Sequence, residues 1–235
     1  ETFSGEHYGA WADAPETFRT GEPAFPRVYG AAYFDWLQAH PAEAERFNRS
    51  MSGSATMRQA VLLEEDWSGV ETVVDVGGGV GTMLVAVLTA NPHLRGIVFD
   101  VPQTRPAAEE TIGAAGLGGR CTFAGGSFFD AVPAGADVYV LSQILHDWDD
   151  ERAVEILRVC RHAARSDSRL RLVEAVLEPG DAWDWLKLLD LHMLVLLGGR
   201  ERAEDEWRAV LEAGGFRLER VTTREAASVL EAAPA

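Results

Sequence analysis

From residue 72 onward, apolar runs alternate with stretches of helical spacing. The apolar, β-branched runs have the length of buried strands and lie at 72–76, 96–100, 121–124, 136–141 and 170–176. The stretches with helical spacing lie at 82–90, 106–113, 151–164, 186–197 and 204–213, and two further strands close the chain. Strands separated by helices are typical of a doubly wound sheet, so we predict an α/β fold with a mostly parallel, seven-stranded sheet.

The first 69 residues follow a different pattern. Residues 1–26 contain too many aromatic side chains for a free linker and too many interruptions for one long helix, so we expect them to pack against another part of the molecule. From Pro26 to Leu63 the apolar spacing becomes helical, with a break at His40-Pro41. We therefore predict an N-terminal aromatic and helical segment over residues 1–69 and a larger domain over residues 70–235.

A glycine turn follows the first predicted strand and opens the first helix of the larger domain. Gly77, Gly79 and Gly81 would let the backbone approach a ligand beside the positive end of that helix. A dinucleotide fingerprint needs its third glycine where Thr82 stands, which disfavours an NAD-dependent dehydrogenase. The spacing, with Asp75 just before it, instead resembles the first motif of methyltransferases that use S-adenosylmethionine (SAM). Asp100 ends the next strand, where a carboxylate can bind both hydroxyls of a ribose.

The net charge of the chain limits the classes of partner that it can bind. Its formal net charge is −16, from 37 acidic and 21 basic residues. Such a surface repels phosphate groups, so we expect no nucleic acid and no anionic membrane as partner, and a small molecule or an acyl carrier protein fits better. Cys121 and Cys160 lack the spacing of metal ligands and are expected to be buried, reduced thiols. We find neither a long apolar run nor a signal peptide and expect a cytoplasmic enzyme.

His146 is the candidate general base. It follows the fourth predicted strand, and Glu174 ends the neighbouring strand, from which its carboxylate could bind the far imidazole nitrogen and fix the tautomer. One alternative is that His146 only precedes a helix that Asp147 or Asp149 caps. A metal site at these acids and Asp150 is another, although acids at a helix start are explained more simply by the helix dipole.

Five motifs resemble those of the metal-independent small-molecule O-methyltransferases, which include plant caffeate and flavonoid enzymes and bacterial polyketide-tailoring enzymes. They lie in the family's order over about residues 20–220. The motifs are Asp-Val-Gly-Gly-Gly-Val-Gly (75–81), Phe-Asp-Val-Pro (99–102), Leu-His-Asp-Trp-Asp-Asp-Glu (145–151), Glu174 and Gly-Gly-Arg-Glu-Arg (198–202). The resemblance implies the class I, Rossmann-like fold of SAM-dependent methyltransferases, with SAM as cofactor, S-adenosylhomocysteine as product and no metal.

The resemblance also implies roles for individual residues. His146 would be the general base, with Glu174 and Glu201 as flanking acids. The residues expected at the cofactor are Asp75, Gly77, Gly79, Asp100, Val101, Ser127, Phe128, Ser142 and Trp148. Asp190 resembles a position that faces the substrate pocket, and we expect residues 1–69 to line the pocket of the catalytic domain 70–235. By residue type alone, further candidates at the substrate are Trp11, Met51, His192, Met193, Trp183 and Trp185, with core packing as the alternative for each of them.

The expected activity is methyl transfer to a hydroxyl, phenolic in our interpretation, of a secondary metabolite such as an antibiotic. Two departures from the family bear on it: Ser127 stands where the family has an aspartate, and Ser142 where many plant members have a lysine. The family has an N-terminal dimerisation domain, which implies a homodimer for the full-length protein. Alternatives are a catalytically silent module that binds SAM or a partner protein, and a hydroxylase or decarboxylase of the same fold.

Overall fold

The structure is a computed structural model that describes residues 5–223 and 227–235, and of residues 48 and 51–59 it describes only the backbone. The N-terminal segment is helical. Its helices are α1 (Glu6–Trp11), α2 (Ala14–Thr20), α3 (Ala24–Tyr29), α4 (Tyr33–Ala39) and α5 (Pro41–Leu63). Gly21 and Gly30 end α2 and α3 with positive φ angles, which turns the chain back after each short helix. The break between α4 and α5 at His40-Pro41 is where the sequence predicts it.

The rest of the described chain alternates strands and helices. The strands are β1 (Thr72–Val76), β2 (Arg95–Asp100), β3 (Cys121–Gly125), β4 (Val138–Ser142), β5 (Arg169–Glu174), β6 (Val176–Leu177), β7 (Arg202–Ala203), β8 (Phe216–Thr223) and β9 (Ser228–Pro234). The helices are α6 (Thr82–Ala90), α7 (Arg105–Ala114), α8 (Asp150–Ala163), α9 (Trp185–Leu197) and α10 (Glu204–Ala213). Short 3-10 turns lie at Pro102–Thr104 and Leu145–Asp147.

Seven strands form one sheet in the order β3-β2-β1-β4-β5-β9-β8. The first five are parallel, whereas β9 pairs antiparallel with both β5 and β8. The predicted fold class is therefore confirmed. The strand order reverses between β1 and β4, and parallel sheets of this kind bind ligands beyond the carboxyl ends of the strands at such a point.

Two predicted strands differ from the observed ones by two residues at one end, and the others by at most one residue. β4 begins at Val138 and not at Ala136, because the Asp137 carboxylate accepts hydrogen bonds from the N–H groups of Glu71 and Thr72 and ties the approach to β4 into a loop. The run 170–176 is split into β5 and β6 at Ala175, whose carbonyl accepts the indole N–H of Trp207.

Helices cover both faces of the sheet. One apolar cluster joins the sheet to α8 and α10 through residues such as Ile156, Leu157 and Trp207. The other joins it to α5, α6 and α7 through residues such as Leu62 and Leu84. Both cysteines lie in these clusters as free thiols, and burial raises the pKa of Cys121 to about 11 and that of Cys160 to about 12. The prediction of buried thiols is confirmed.

The N-terminal helices pack on α9 in a third apolar cluster. Phe25, Tyr33 and Leu37 lie there against Val195 and Leu196 of α9. The expected packing of the aromatic N-terminus is confirmed for Trp11 and Phe25, whereas Tyr8 and Phe18 are exposed. α9 joins this segment to the turn that follows it. Among the residues that the structure describes, no helix is long and apolar enough to span a bilayer.

Candidate active site

The glycine turn between β1 and α6 has the backbone that its sequence predicts. Gly77, Gly79 and Gly81 have φ angles of 71°, 57° and 80°, a region that favours glycine. A Cβ on Gly77 would overlap Ile144 in the turn after β4. A Cβ on Gly79 would meet nothing within 4 Å, so this part of the turn faces open space beside the start of α6. The turn can therefore bring backbone atoms close to a ligand.

Asp100 holds the glycine turn in place. Its Oδ2 accepts the Gly79 N–H at 2.7 Å, and its Oδ1 accepts the Val101 N–H at 2.7 Å and the Thr104 hydroxyl at 3.2 Å. Burial raises the pKa of this carboxyl, although the three hydrogen bonds lower it. Asp75 is buried just before the turn, and a Cβ on Gly78 would overlap its carboxylate. Both predicted acids therefore shape the turn.

Aromatic side chains form a wall beside the glycine turn. Phe128 lies near Gly77, and its ring centroid is 6.1 Å from that of Trp148. The Ser127 hydroxyl accepts the N–H of Phe129 at 3.2 Å. At the end of β4, the buried Ser142 hydroxyl has no hydrogen-bond partner among the described residues, which suits a polar ligand at this edge of the sheet.

His146 lies in the 3-10 turn after β4 between two carboxylates. Its Nδ1 is 2.7 Å from Glu201 Oε1, and its Nε2 is 3.3 Å from Asp147 Oδ1. We assign the proton on Nδ1 to the hydrogen bond with Glu201, because an ionised carboxylate can only accept. In the neutral imidazole the lone pair is then on Nε2, the atom that a general base uses.

The carboxylates control the protonation of His146. Burial lowers the pKa of the imidazole, but the charges of Glu201, Asp147 and Glu174 outweigh this effect and raise it to about 10. Burial also raises the pKa of Asp147 to about 6, against the opposing effect of His146. The imidazolium form is therefore strongly stabilised once His146 has taken a proton.

Glu174 does not make the contact that we predicted from its position. Its Oε1 accepts the N–H groups of Ile144 at 3.1 Å and Leu145 at 3.0 Å, and Glu201 makes the imidazole contact instead. The interpretation of Glu174 as the acid that binds the far nitrogen is therefore wrong. Glu174 fixes the backbone of the turn before His146, and burial raises its pKa to about 7.

Arg202 is a residue of this site that our interpretation of the sequence missed. Its fully buried guanidinium donates hydrogen bonds to the Leu145 carbonyl at 3.0 Å, the Trp148 carbonyl at 2.9 Å and Asp150 Oδ1 at 3.0 Å. The Arg202 side chain therefore holds both ends of the turn that carries His146. Its motif Gly-Gly-Arg-Glu-Arg was a signal for the region, but residue type alone predicts an exposed arginine.

The turn 198–202 touches His146 directly. The Arg200 N–H donates to the His146 carbonyl at 2.9 Å, and a Cβ on Gly199 would overlap the same oxygen. Asp190 on α9 accepts the Glu201 N–H at 2.8 Å. Asp190 therefore contacts the acid that orients His146, and buried Met193 lies one helical turn further along α9.

The other substrate candidates lie in different surroundings. His192 Nδ1 accepts the indole N–H of Trp11 at 2.8 Å between α9 and the N-terminal helices, and burial lowers the His192 pKa to about 4, so the ring is neutral. The side chain of Met51 lies outside the described residues. Trp183 and Trp185 are 86% and 52% exposed, so neither is part of an enclosed wall among the described residues, and their role at the substrate stays a prediction. Asp149 caps α8 through the Arg152 N–H.

Comparisons with known proteins identify the family of this chain. A family model described as an O-methyltransferase domain matches residues 11–217. A phenazine O-methyltransferase, PhzM, from Lysobacter antibioticus is 46% identical over 97% of this chain and 68% of its own length. An O-demethylpuromycin-O-methyltransferase from Streptomyces alboniger is 44% identical over 96% of this chain and 62% of its own length. The chain thus spans about two thirds of the length of these relatives.

A solved structure extends the likeness to the fold. An O-methyltransferase from neocarzinostatin biosynthesis, solved in complex with SAM and 2-hydroxy-5-methyl naphthoic acid, superposes with a TM-score of 0.90 at 36% identity. The match covers 97% of this chain and 69% of that one.

Proposed function

Because this chain belongs to the O-methyltransferase domain family, we propose that it transfers the methyl group of SAM to a phenolic hydroxyl of a small secondary metabolite. The observation that carries the proposal is the pair of contacts at His146. Glu201 holds Nδ1, which leaves Nε2 to take a proton in a turn fixed by buried side chains. A methyl acceptor hydroxyl needs such a base.

The residues at the strand ends fit SAM. The glycine turn and the Ser142 hydroxyl offer polar groups for the amino-acid end of SAM, Asp100 offers carboxylate oxygens for the ribose, and Phe128 offers an aromatic face for the adenine. Asp75, Val101, Ser127 and Trp148 complete the proposed set. When bound, SAM supplies a methyl group that its positively charged sulfur makes electrophilic.

His146 Nε2 would take the proton of the acceptor hydroxyl as the acceptor oxygen takes the methyl group that SAM would supply, with S-adenosylhomocysteine as the leaving product. Glu201 stabilises the resulting imidazolium, and Glu174 and Arg202 keep its turn in position. The raised pKa of His146, about 10, matches that of an ordinary phenol, about 10, so the proton moves between groups of similar basicity. We propose Asp190 and Met193 on α9, with Trp11, His192 and Met51, as residues that position the acceptor.

The proposed function also implies an oligomeric state, a location in the cell and a set of partners. We propose a homodimer for the full-length protein, as in the family that the sequence resembles, and a cytoplasmic location. The partners would be the acceptor and SAM, without nucleic acid or membrane, because the net charge of −16 repels anionic surfaces.

The first test is a pair of measurements on the purified chain. Calorimetry should show binding of S-adenosylhomocysteine but not of NADH, and Asp100→Ala should weaken it. With a panel of phenols, His146→Ala should lose methyl transfer by about 100-fold or more, the usual range for a general base, at unchanged affinity for S-adenosylhomocysteine. Activity that survives this change would contradict the role of His146, and a folded chain that binds no S-adenosylhomocysteine would favour a silent module.

A further inference from the structure

Carboxylates lie on both sides of the imidazole that would take the proton of the acceptor, with Asp147 beside Nε2 itself. Asp147 Oδ1 lies 3.3 Å from His146 Nε2, and Glu201 Oε1 lies 2.7 Å from Nδ1. Glu174 is fully buried beside them, and Asp190 is in contact with the backbone of Glu201. One imidazolium can balance the negative charge of only one of these acids, so the net charge around Nε2 is negative.

The arginines beside this cluster are directed elsewhere. The guanidinium of Arg202 is engaged by two backbone carbonyls and Asp150. Arg200 forms ion pairs with Asp150 and Glu206, on the outer side of the turn. These two cations therefore stabilise the turns and are held away from a negative group on the acceptor.

Because Asp147 lies beside Nε2, its negative charge acts mainly on substituents of the acceptor that lie next to the reacting hydroxyl. The reacting hydroxyl has to lie within hydrogen-bond distance of Nε2, and Asp147 already lies next to that atom. A substituent on the ring carbon next to the hydroxyl is then brought close to Asp147. A carboxylate there would place two like charges together in a buried site, where water screens them poorly.

We propose that this site rejects acceptors with a carboxylate next to the reacting hydroxyl and takes hydroxyaromatic compounds that are uncharged at that position. A carboxylate far from the hydroxyl is not subject to this restriction. The inference rests on the proposed function, because it concerns the compound from which His146 takes a proton.

The test compares matched ligands on the chain saturated with S-adenosylhomocysteine. Calorimetry at pH 8 measures the affinities of 3-hydroxy-2-naphthoate and 3-hydroxy-2-naphthamide, which differ in charge next to the hydroxyl. The pair 6-hydroxy-2-naphthoate and 6-hydroxy-2-naphthamide carries the same difference at a remote position. We expect the adjacent carboxylate to weaken binding by about tenfold or more relative to its amide, since juxtaposed like charges disfavour association strongly. The remote carboxylate should have a much smaller effect.

Asp147→Asn tests the assigned cause. It should shrink the affinity difference of the adjacent pair to within about threefold and leave the remote pair unchanged, because it removes the negative charge 3.3 Å from Nε2. Glu151→Gln, at an exposed acid in the first turn of α8, is the matched control and should preserve the difference.

Three results would overturn the inference: equal affinities within the adjacent pair, an unchanged difference in folded Asp147→Asn, or no binding of 3-hydroxy-2-naphthamide. The comparison of the four ligands on the unmodified chain decides the matter if the variant does not fold. A chain that shows the expected binding pattern but transfers no methyl group from SAM would retain this inference and contradict the proposed function.

Discussion

The chemistry of this site depends on the protonation of the His146 imidazole and of the buried carboxylates beside it. His146 is stabilised as an imidazolium by acids on both sides, with Glu201 at Nδ1 and Asp147 at Nε2. A strong base results, but one that is protonated in the free enzyme at neutral pH, since its pKa is raised to about 10. His146 can therefore take the proton of the acceptor hydroxyl only in molecules in which the imidazole is neutral, and that fraction grows as the pH rises towards 10.

Glu201→Gln separates the charge of Glu201 from its hydrogen bond. The amide oxygen of Gln can still accept from Nδ1, but the charge that raises the pKa of His146 is lost. Since the base acts when neutral, the rising limb of kcat/KM with pH should move to lower pH. The weaker base should reduce the rate at the plateau by about tenfold, within the range of general-base effects.

The measurement is kcat/KM between pH 6 and 10.5 for both proteins. Glu178→Gln, at an exposed position on the surface, is the control and should leave the limb in place. A limb that does not move in Glu201→Gln would show that this carboxylate does not control His146.

At the scale of elements, the site consists of turns that hold one another. The turn after β4 carries His146, and the turn after α9 supplies Glu201 together with Arg202. Glu174, at the end of β5, binds the first of these turns from the sheet side. The position of His146 therefore depends on hydrogen bonds that join three parts of the chain: the turn after β4, the turn after α9 and the end of β5.

Arg202→Met tests this dependence. Methionine keeps an apolar stem against Trp207, but the Trp148 carbonyl loses its Arg202 donor and the Leu145 carbonyl keeps only the Trp148 N–H at 3.3 Å. Each buried carbonyl that loses its partner costs about 1–3 kcal/mol. We expect the melting temperature to fall by several degrees. We also expect kcat to fall about tenfold with little change in the Kd for S-adenosylhomocysteine, because the turn of His146 moves relative to the cofactor residues.

Arg208→Met is the matched control, because the side chain of Arg208 is exposed and pairs with Glu204 on the same helix. It should leave both quantities unchanged. If Arg202→Met lowered the melting temperature but kept kcat, Arg202 would be a stabilising residue without a part in positioning His146.

The sequence predicted the helices and strands better than it predicted the contacts between side chains. β1, α6 and α10 have the predicted bounds, because their apolar runs end sharply at glycines, acids or a change of spacing. The partner of His146 was not predictable from position alone. Glu174 and Glu201 both lie beside it, and the rotation of a three-residue turn decides which oxygen meets Nδ1.

Residue type also failed to predict which side chains are buried and which are exposed. A fully buried arginine and two largely exposed tryptophans reverse the usual preferences, as Arg202, Trp183 and Trp185 show. Arg202 is buried because carbonyls and a carboxylate satisfy its donors, a condition that only the folded chain creates.

At the scale of the whole molecule, the buried cluster ties stability to pH. The folded chain raises the pKa of Asp147 from 3.8 to about 6, of Glu174 from 4.5 to about 7 and of His146 from 6.5 to about 10. In each case the folded state holds a proton that the unfolded state has already released, so the stabilisation is present at low pH and is lost as the pH rises. Asp147 and Glu174 account for the loss between about pH 4 and 7, and His146 for the loss between pH 6.5 and 10.

The melting temperature should therefore fall by several degrees between pH 6.5 and pH 9.5, through roughly a few kcal/mol of lost stability at His146. Calorimetric scans in 0.5 M NaCl are the appropriate measurement, because salt screens the general repulsion that a net charge of −16 causes and leaves the buried cluster largely unaffected. His146→Gln should flatten the dependence, since the group that titrates in this range is then absent. A flat curve for the unmodified chain, or an equal slope in the variant, would show that His146 is not held as an imidazolium, and Glu201 and Asp147 would then have to share their charges with other groups.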